Sequence, residues 1–271
     1  MPTTLADADA VISALWPPSG AESWDAVGLI VGDPASEVSA IHLAVDAVPD
    51  AVDETLELGA QLLLTHHPLL LRGVTSVAED RYKGVVIARL LRAGSALIAA
   101  HTNADIVERG TSAVLAERLG LVDTRPIEPS SDATLGLGRV GRLPAPTTLG
   151  ALARTLADIL PATAQGIRVA GEYGGEVTSV ALCAGSGDSL LSHPSVAAAD
   201  VYITSDLRHH PASEARERAR LGRGPSLIDV SHWASEWLWL DVAAEQLRAA
   251  LPGVTITVSE LRTDPWDFAI V

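Results

Sequence analysis

The stretch Leu62-Leu63-Leu64-Thr65-His66-His67-Pro68 decides the fold. Three consecutive leucines leave no polar face at either the strand or the helix period, so the run reads as a strand buried on both sides, the kind found in parallel sheets. It therefore delivers two imidazoles at a strand's exit. The pattern recurs twice: Ala96-Leu97-Ile98-Ala99-Ala100 runs into His101-Thr102-Asn103-Ala104-Asp105, and Ser226-Leu227-Ile228-Asp229-Val230 runs into Ser231-His232-Trp233-Ala234-Ser235-Glu236. In open α/β sheets the ligand crevice lies beyond the strand ends. Three strands bringing imidazoles and carboxylates to one edge is the layout expected of a metal site, for one ion or for two.

Working outward, a strand over 41–45, a helix over 51–58, the strand over 61–64, a helix over 82–93 and the strand before His101 alternate as βαβ units do. Strands over 177–183, 200–204 and 226–230 start the order again. Laid over each other, the two halves bring Asp46 opposite Ala184 and residues 65–67 opposite 204–206, which is either an internal duplication or a coincidence of two similar halves. Between them, 125–146 is rich in Pro, Ser and Gly and reads as a connection. An amphipathic helix over 149–160 follows. The last helix, over 232–251, has Asp229 or Ser231 as its cap and stops at Pro252-Gly253, before a closing strand over 254–258. The expected fold is α/β, with two similar lobes of mixed, mainly parallel sheets flanked by helices. The first lobe spans 1–125, completed by 231–271, and the second spans 126–230.

A chain of 271 residues with 48% hydrophobic composition has the material for one large domain or two well-buried lobes. Its formal charge of −15 argues against tracking a phosphate backbone, so nucleic acid is not an expected partner. The amino terminus lacks the basic start and apolar core of a secretory signal, and no apolar stretch is long enough to cross a bilayer. Cys183 is the single cysteine, which excludes an intrachain disulfide and a multi-cysteine zinc site. A cytoplasmic protein is the expectation, with Cys183 as a small buried hydrophobe.

His232 and Glu236 are four residues apart and share one helical face. Such a pair is commonly a surface ion pair, yet its position behind a buried strand favours a shared metal ion. His66 and His67 would point to opposite sides if the strand continued, a constraint that a turn at Pro68 relaxes. Imidazoles pointing apart could each serve one ion of a pair about 3.5 to 4 Å apart. Trp233, Trp237 and Trp239 read as core or subunit contact rather than a base-stacking platform. The stretch Ala184-Gly185-Ser186-Gly187-Asp188-Ser189 is either an ordinary turn or an anion cradle. His42 and His193 carry no assigned role.

Taken together, these elements resemble the Nif-three-like dinuclear-metal hexameric proteins, homologues of GTP cyclohydrolase I type 2. The resemblance spans nearly the whole chain. Trp24-Asp25-Ala26-Val27-Gly28-Leu29 is similar to the family's opening signature, Thr65-His66-His67-Pro68 to its histidine pair, and His101-Thr102-Asn103-Ala104-Asp105 to its His-Thr-x-x-Asp element. Residues 229–236 are similar to its ligand helix, Thr204-Ser205-Asp206 to its Thr-Gly-Asp segment, and Thr263-Asp264-Pro265-Trp266 to its tail.

The resemblance implies that His66, His67, Asp105, His232 and Glu236 hold two divalent metal ions per subunit, Zn, Fe or Mn. It implies that His101 and His210 lie close by as proton-transfer groups, that the lobes are intertwined, and that the protein is a homohexamer. The chain is similar to the short members, which lack a domain inserted between the lobes. Ala26 replaces a usual Asn and Ser231 a common Gly. The implied activity is a metal-dependent hydrolase acting on a small-molecule, nucleotide-like substrate, nominally opening the imidazole ring of GTP. The alternative is a metal-binding interaction or carrier protein without catalysis.

Overall fold

In the computed structural model, which describes residues 2–270, the chain begins with α1 (Leu5–Leu15), β1 (Gly28–Val31), β2 (Ala40–Ala44), α2 (Pro49–Glu57), β3 (Leu62–Thr65), α3 (Tyr82–Ala93), β4 (Ala96–Ala99) and α4 (Thr102–Asp105). Next come α5 (Thr111–Arg118), β5 (Val122–Arg125), β6 (Glu128–Pro129), β7 (Gly136–Leu137), β8 (Arg139–Thr148), α6 (Leu149–Ile159), β9 (Arg168–Ala170) and β10 (Glu176–Ser186). The last part holds α7 (Pro194–Ala197), β11 (Val201–Ser205), α8 (His209–Arg220), β12 (Ser226–Val230), α9 (His232–Ala250) and β13 (Thr255–Val258).

The chain folds as two compact units. One comprises the residues up to Ala104 with Leu240–Thr263, the other Asp105–Trp239 with the residues from Asp264 onward. These boundaries differ from those expected at 125/126 and 230/231. Residues 105–125 go with the second unit because β5 pairs with β8 and α5 packs on β10.

In the first unit the sheet order is β1-β4-β3-β2-β13. β2, β3 and β4 are parallel, β13 extends the sheet parallel to β2, and β1 closes the other side antiparallel to β4. Leu62, Leu63 and Leu64 are all buried although successive side chains point to opposite faces, as the leucine run requires. Leu63 and Leu97 meet Val52 of α2 and Val86 and Leu90 of α3 in one apolar cluster. Gly94 ends α3 in the left-handed conformation at φ +69°. His42 is fully buried on β2 and has a structural role. The Thr55 hydroxyl donates to the Ala51 carbonyl at 2.6 Å, so it accepts from Nδ1 of His42 at 2.8 Å. Burial lowers the His42 pKa, with the Glu54 carboxylate 3.2 Å from Nε2 pulling the other way.

In the second unit the order is β5-β8-β10-β11-β12-β9, with β10, β11 and β12 parallel and with β8 and β9 antiparallel to β10 and β12. Four strands repeat the first unit: β9-β12-β11-β10 has the order and the strand senses of β1-β4-β3-β2. The duplication thus stands in the topology. The segment 125–146 is not a bare connection, because most of β8 lies within it; Gly141, Pro144 and Pro146 hide the strand in the sequence. Ser231 caps α9, its hydroxyl accepting from the Ala234 N–H at 3.2 Å and donating to Asp264 at 2.5 Å. Asp229 instead pairs with Arg168 of β9.

Candidate metal centre

In the first unit β3 hands the chain to His66 and His67, whose N–H groups continue the ladder to Ala44 and Val45 carbonyls. The Thr65 hydroxyl then closes a turn on the His67 carbonyl at 2.8 Å, ahead of Pro68. This turn keeps the two rings from pointing apart. Their centroids are 5.2 Å from each other, and His101, at the exit of the neighbouring β4, lies 5.2 Å from His66 and 5.5 Å from His67. One ring nitrogen of each of the three falls within 4.8 Å of the others. His101 therefore stands among the candidate ligands, beyond the proton-transfer role expected for it.

Each ring is anchored through Nδ1. His66 Nδ1 donates to the Ala100 carbonyl at 2.9 Å, His67 Nδ1 faces Asp46 at 2.7 Å, and His101 Nδ1 faces Asp25 at 2.9 Å. Asp25 is itself fixed by the Thr102 hydroxyl at 2.5 Å and N–H at 3.1 Å. Burial alone would raise its pKa, but the hydrogen bonds from Thr102 and His101 outweigh it and hold the carboxyl below its usual range. With Nδ1–H committed to an acceptor, a neutral imidazole presents the Nε2 lone pair, which is how metal-binding histidines are oriented.

In the second unit β12 hands the chain to α9, and His232 Nε2 lies 3.1 Å from Glu236 Oε1 on the same helical face. His232 Nδ1 is anchored to Asp206 at 2.7 Å. Burial would lower the pKa of His232, yet the charges and hydrogen bonds of Glu236 and Asp206 push it up to about 11. Glu236 is nearly fully buried. Asp105 is held by the Thr111 hydroxyl at 2.5 Å. Cys183 places Asp105 and Glu236 in one neighbourhood, because burial first and then the charges of these two carboxylates push its thiol up to about 12.

Gly185 makes room for this set. Its φ is +70°, and a Cβ there would stand 2.2 Å from Glu236 Oε1 and 3.4 Å from His232 Nε2. Its N–H donates to Ser235 at 2.9 Å and its carbonyl accepts from Thr204 at 3.1 Å. Gly187 would collide with Tyr202 and Thr204. Packing against β11 and α9 thus accounts for both glycines, without an anion. His210 lies exposed on α8 with its ring against His209. The anchors Asp25, Asp46 and Asp206 were not assigned to these rings from sequence; the signals present were the family-like stretches that hold Asp25 and Asp206, and the position of Asp46 and Asp206 just past the ends of β2 and β11.

The fold and the anchored imidazoles define a duplicated α/β protein with His and carboxylate groups able to hold metal. The chain belongs to the Duf34/NIF3 (NGG1p interacting factor 3) family, whose model matches residues 3–265. It is 47% identical to the GTP cyclohydrolase 1 type 2 homolog of Streptomyces coelicolor, over 97% of this chain and 93% of that one. The homolog of Mycobacterium tuberculosis is 34% identical over 98% of this chain and 97% of its own, in an alignment of 380 residues; the relative thus carries extra chain inside the matched span. Among solved structures, a Staphylococcus aureus hypothetical protein matches with a TM-score of 0.89 at 26% identity, covering 99% of this chain and all of that one. Among the described residues no helix is long and apolar enough to cross a membrane.

Proposed function

We propose that this chain binds two divalent metal ions through His66, His67, Asp105, His232 and Glu236, with His101 as a further donor, and acts as a metal-dependent hydrolase on a nucleotide-like small molecule. The observation that carries the metal reading is the common anchoring of four imidazoles through Nδ1, three of them on carboxylates. The donors fit the ions. Gly185 leaves space at Glu236 and His232 that any side chain would fill, and imidazole with carboxylate suits Zn, Fe or Mn. Each unit supplies three donor side chains, His66, His67 and His101 in the first and Asp105, His232 and Glu236 in the second, and three protein ligands suit one ion with an open position, which favours two ions.

When bound, such ions supply Lewis-acid charge and make a bound water more acidic. The chain's own groups hold the tautomers and balance charge. Asp25, Asp46 and Asp206 keep Nδ1–H in place, while Asp105 and Glu236 bring negative charge to a half-buried or buried position. His101 and His210 are the groups available to carry a proton. The nucleotide substrate rests on the names of the relatives, and the homohexamer and cytoplasmic location on the resemblance.

Elemental analysis of protein purified without added metal tests the ions, with about two per chain expected. Formate release from GTP tests the reaction. Metal-loaded wild type should exceed His66→Ala and Glu236→Ala; equal rates would remove the cyclohydrolase reading, and metal bound without turnover of any nucleotide would favour a carrier. Light scattering on the purified protein tests the hexamer.

A further inference from the structure

Away from the metal-type donors, the second unit carries a groove between α8 and the end of its sheet. The register sets its floor: Asp229 stands opposite Arg168 and Leu227 opposite Ala170, so all four side chains rise from one face of the β12–β9 pair. α8 covers that face and leaves a cavity of about 440 Å³. The helix lines it with His209, Ala212, Ser213 and Arg216, spaced as one helical stripe. A second cavity of about 510 Å³ shares Ala170 and Arg216 and adds Ala219 and Arg220, the next turn of the same stripe. Small residues at 212 and 219 keep the groove open along the helix.

Its chemistry is mixed in the way ligand sites are, with an apolar floor and a few polar groups converging on it. Leu207 and Leu227 supply the floor. Two carboxylates line it: Asp229, at the base of the first cavity, pairs with Arg168 and accepts weakly from the Leu207 N–H at 3.5 Å, and the exposed Glu172 borders the second cavity. Arg216 is exposed and, among the described residues, has no ion-pair partner or hydrogen bond. Arg216 borders both cavities and its guanidinium is not committed to a carboxylate, so its charge is available to a ligand entering the groove.

We propose that this groove binds a small organic anion, a phosphate monoester or a carboxylate with an apolar body. Arg216 and Ser213 take the anionic group, and Leu207 and Leu227 take the body. An arginine fork matches either oxyanion in a bidentate fashion.

The test uses the full-length, metal-loaded protein titrated calorimetrically with phenyl phosphate and, separately, phenylacetate. Saturable binding of either probe is expected, persisting after chelation of metal and weakened at least about tenfold by Arg216→Glu. Arg216→Lys should recover part of the affinity, and the tighter probe identifies the oxyanion. Arg216 is exposed and unpaired, so its replacement is not expected to disturb folding, which circular dichroism checks. The proposal is overturned if neither probe binds at millimolar concentration, if Arg216→Glu binds as wild type does, or if chelation abolishes binding.

Discussion

Asp46 faces Nδ1 of His67 at 2.7 Å through Oδ1, while its Oδ2 accepts the Thr263 hydroxyl at 2.5 Å. Ring, carboxylate and the segment after β13 form one hydrogen-bonded chain. Removing such an outer partner typically costs a metal site about 10- to 100-fold in affinity. Asp46→Ala is therefore expected to weaken metal binding in that range, and Thr263→Val to weaken it less, because His67 keeps its acceptor. Competition against a chromophoric chelator measures both. Wild-type affinity in Asp46→Ala would detach His67 from the metal.

His232 carries a pH signature. Its pKa in the metal-free protein is pushed up to about 11, above the ordinary value near 6.5. The ion pair with Glu236 and Asp206 therefore contributes stability that is fully present below about pH 6.5 and is lost as pH rises through about 11. At neutral pH the ring is protonated, and a metal ion must displace that proton. Calorimetry in buffers of different ionisation enthalpy should show about one proton released per ion bound at His232, with affinity falling about tenfold for each unit of acidification. Zero proton release would remove His232 from the ligand set.

Cys183 should be inert. It is buried, and its thiol is pushed up to about 12 by burial and by the nearby Asp105 and Glu236 charges, so almost no thiolate exists at pH 8. A thiol reagent should modify it only after denaturation. Rapid reaction of the native protein would show that this part of the second unit opens readily.

Much of this was legible in the chain because hydrophobic runs and helix stops are local signals. The helix over 82–93 and the strand over 226–230 fall where the sequence puts them, and the final helix ends one residue early. What sequence hid was long-range or masked by composition. Asp25 meets His101 across 76 residues and Asp206 meets His232 across 26, pairings that only the folded strand order creates. β8 was obscured by its prolines. The histidines behind strand exits were visible; the turn that draws His66 and His67 into one cluster with His101 was not.

Gly185 offers the sharpest structural test of the second unit's donors. At φ +70° any side chain adopts a left-handed conformation that costs roughly 1–2 kcal/mol. An added methyl would also stand 2.2 Å from Glu236 Oε1, with the loop held in place by Ser235 and Thr204. The carboxylate has to move, because the backbone is tied on both sides. Gly185→Ala is expected to lower the unfolding midpoint in urea by an amount matching at least that strain, and to reduce the metal bound per chain. Ser186→Ala, at the next position and exposed, should do neither. Full metal content in Gly185→Ala would mean that Glu236 is not a ligand, whatever the loss of stability.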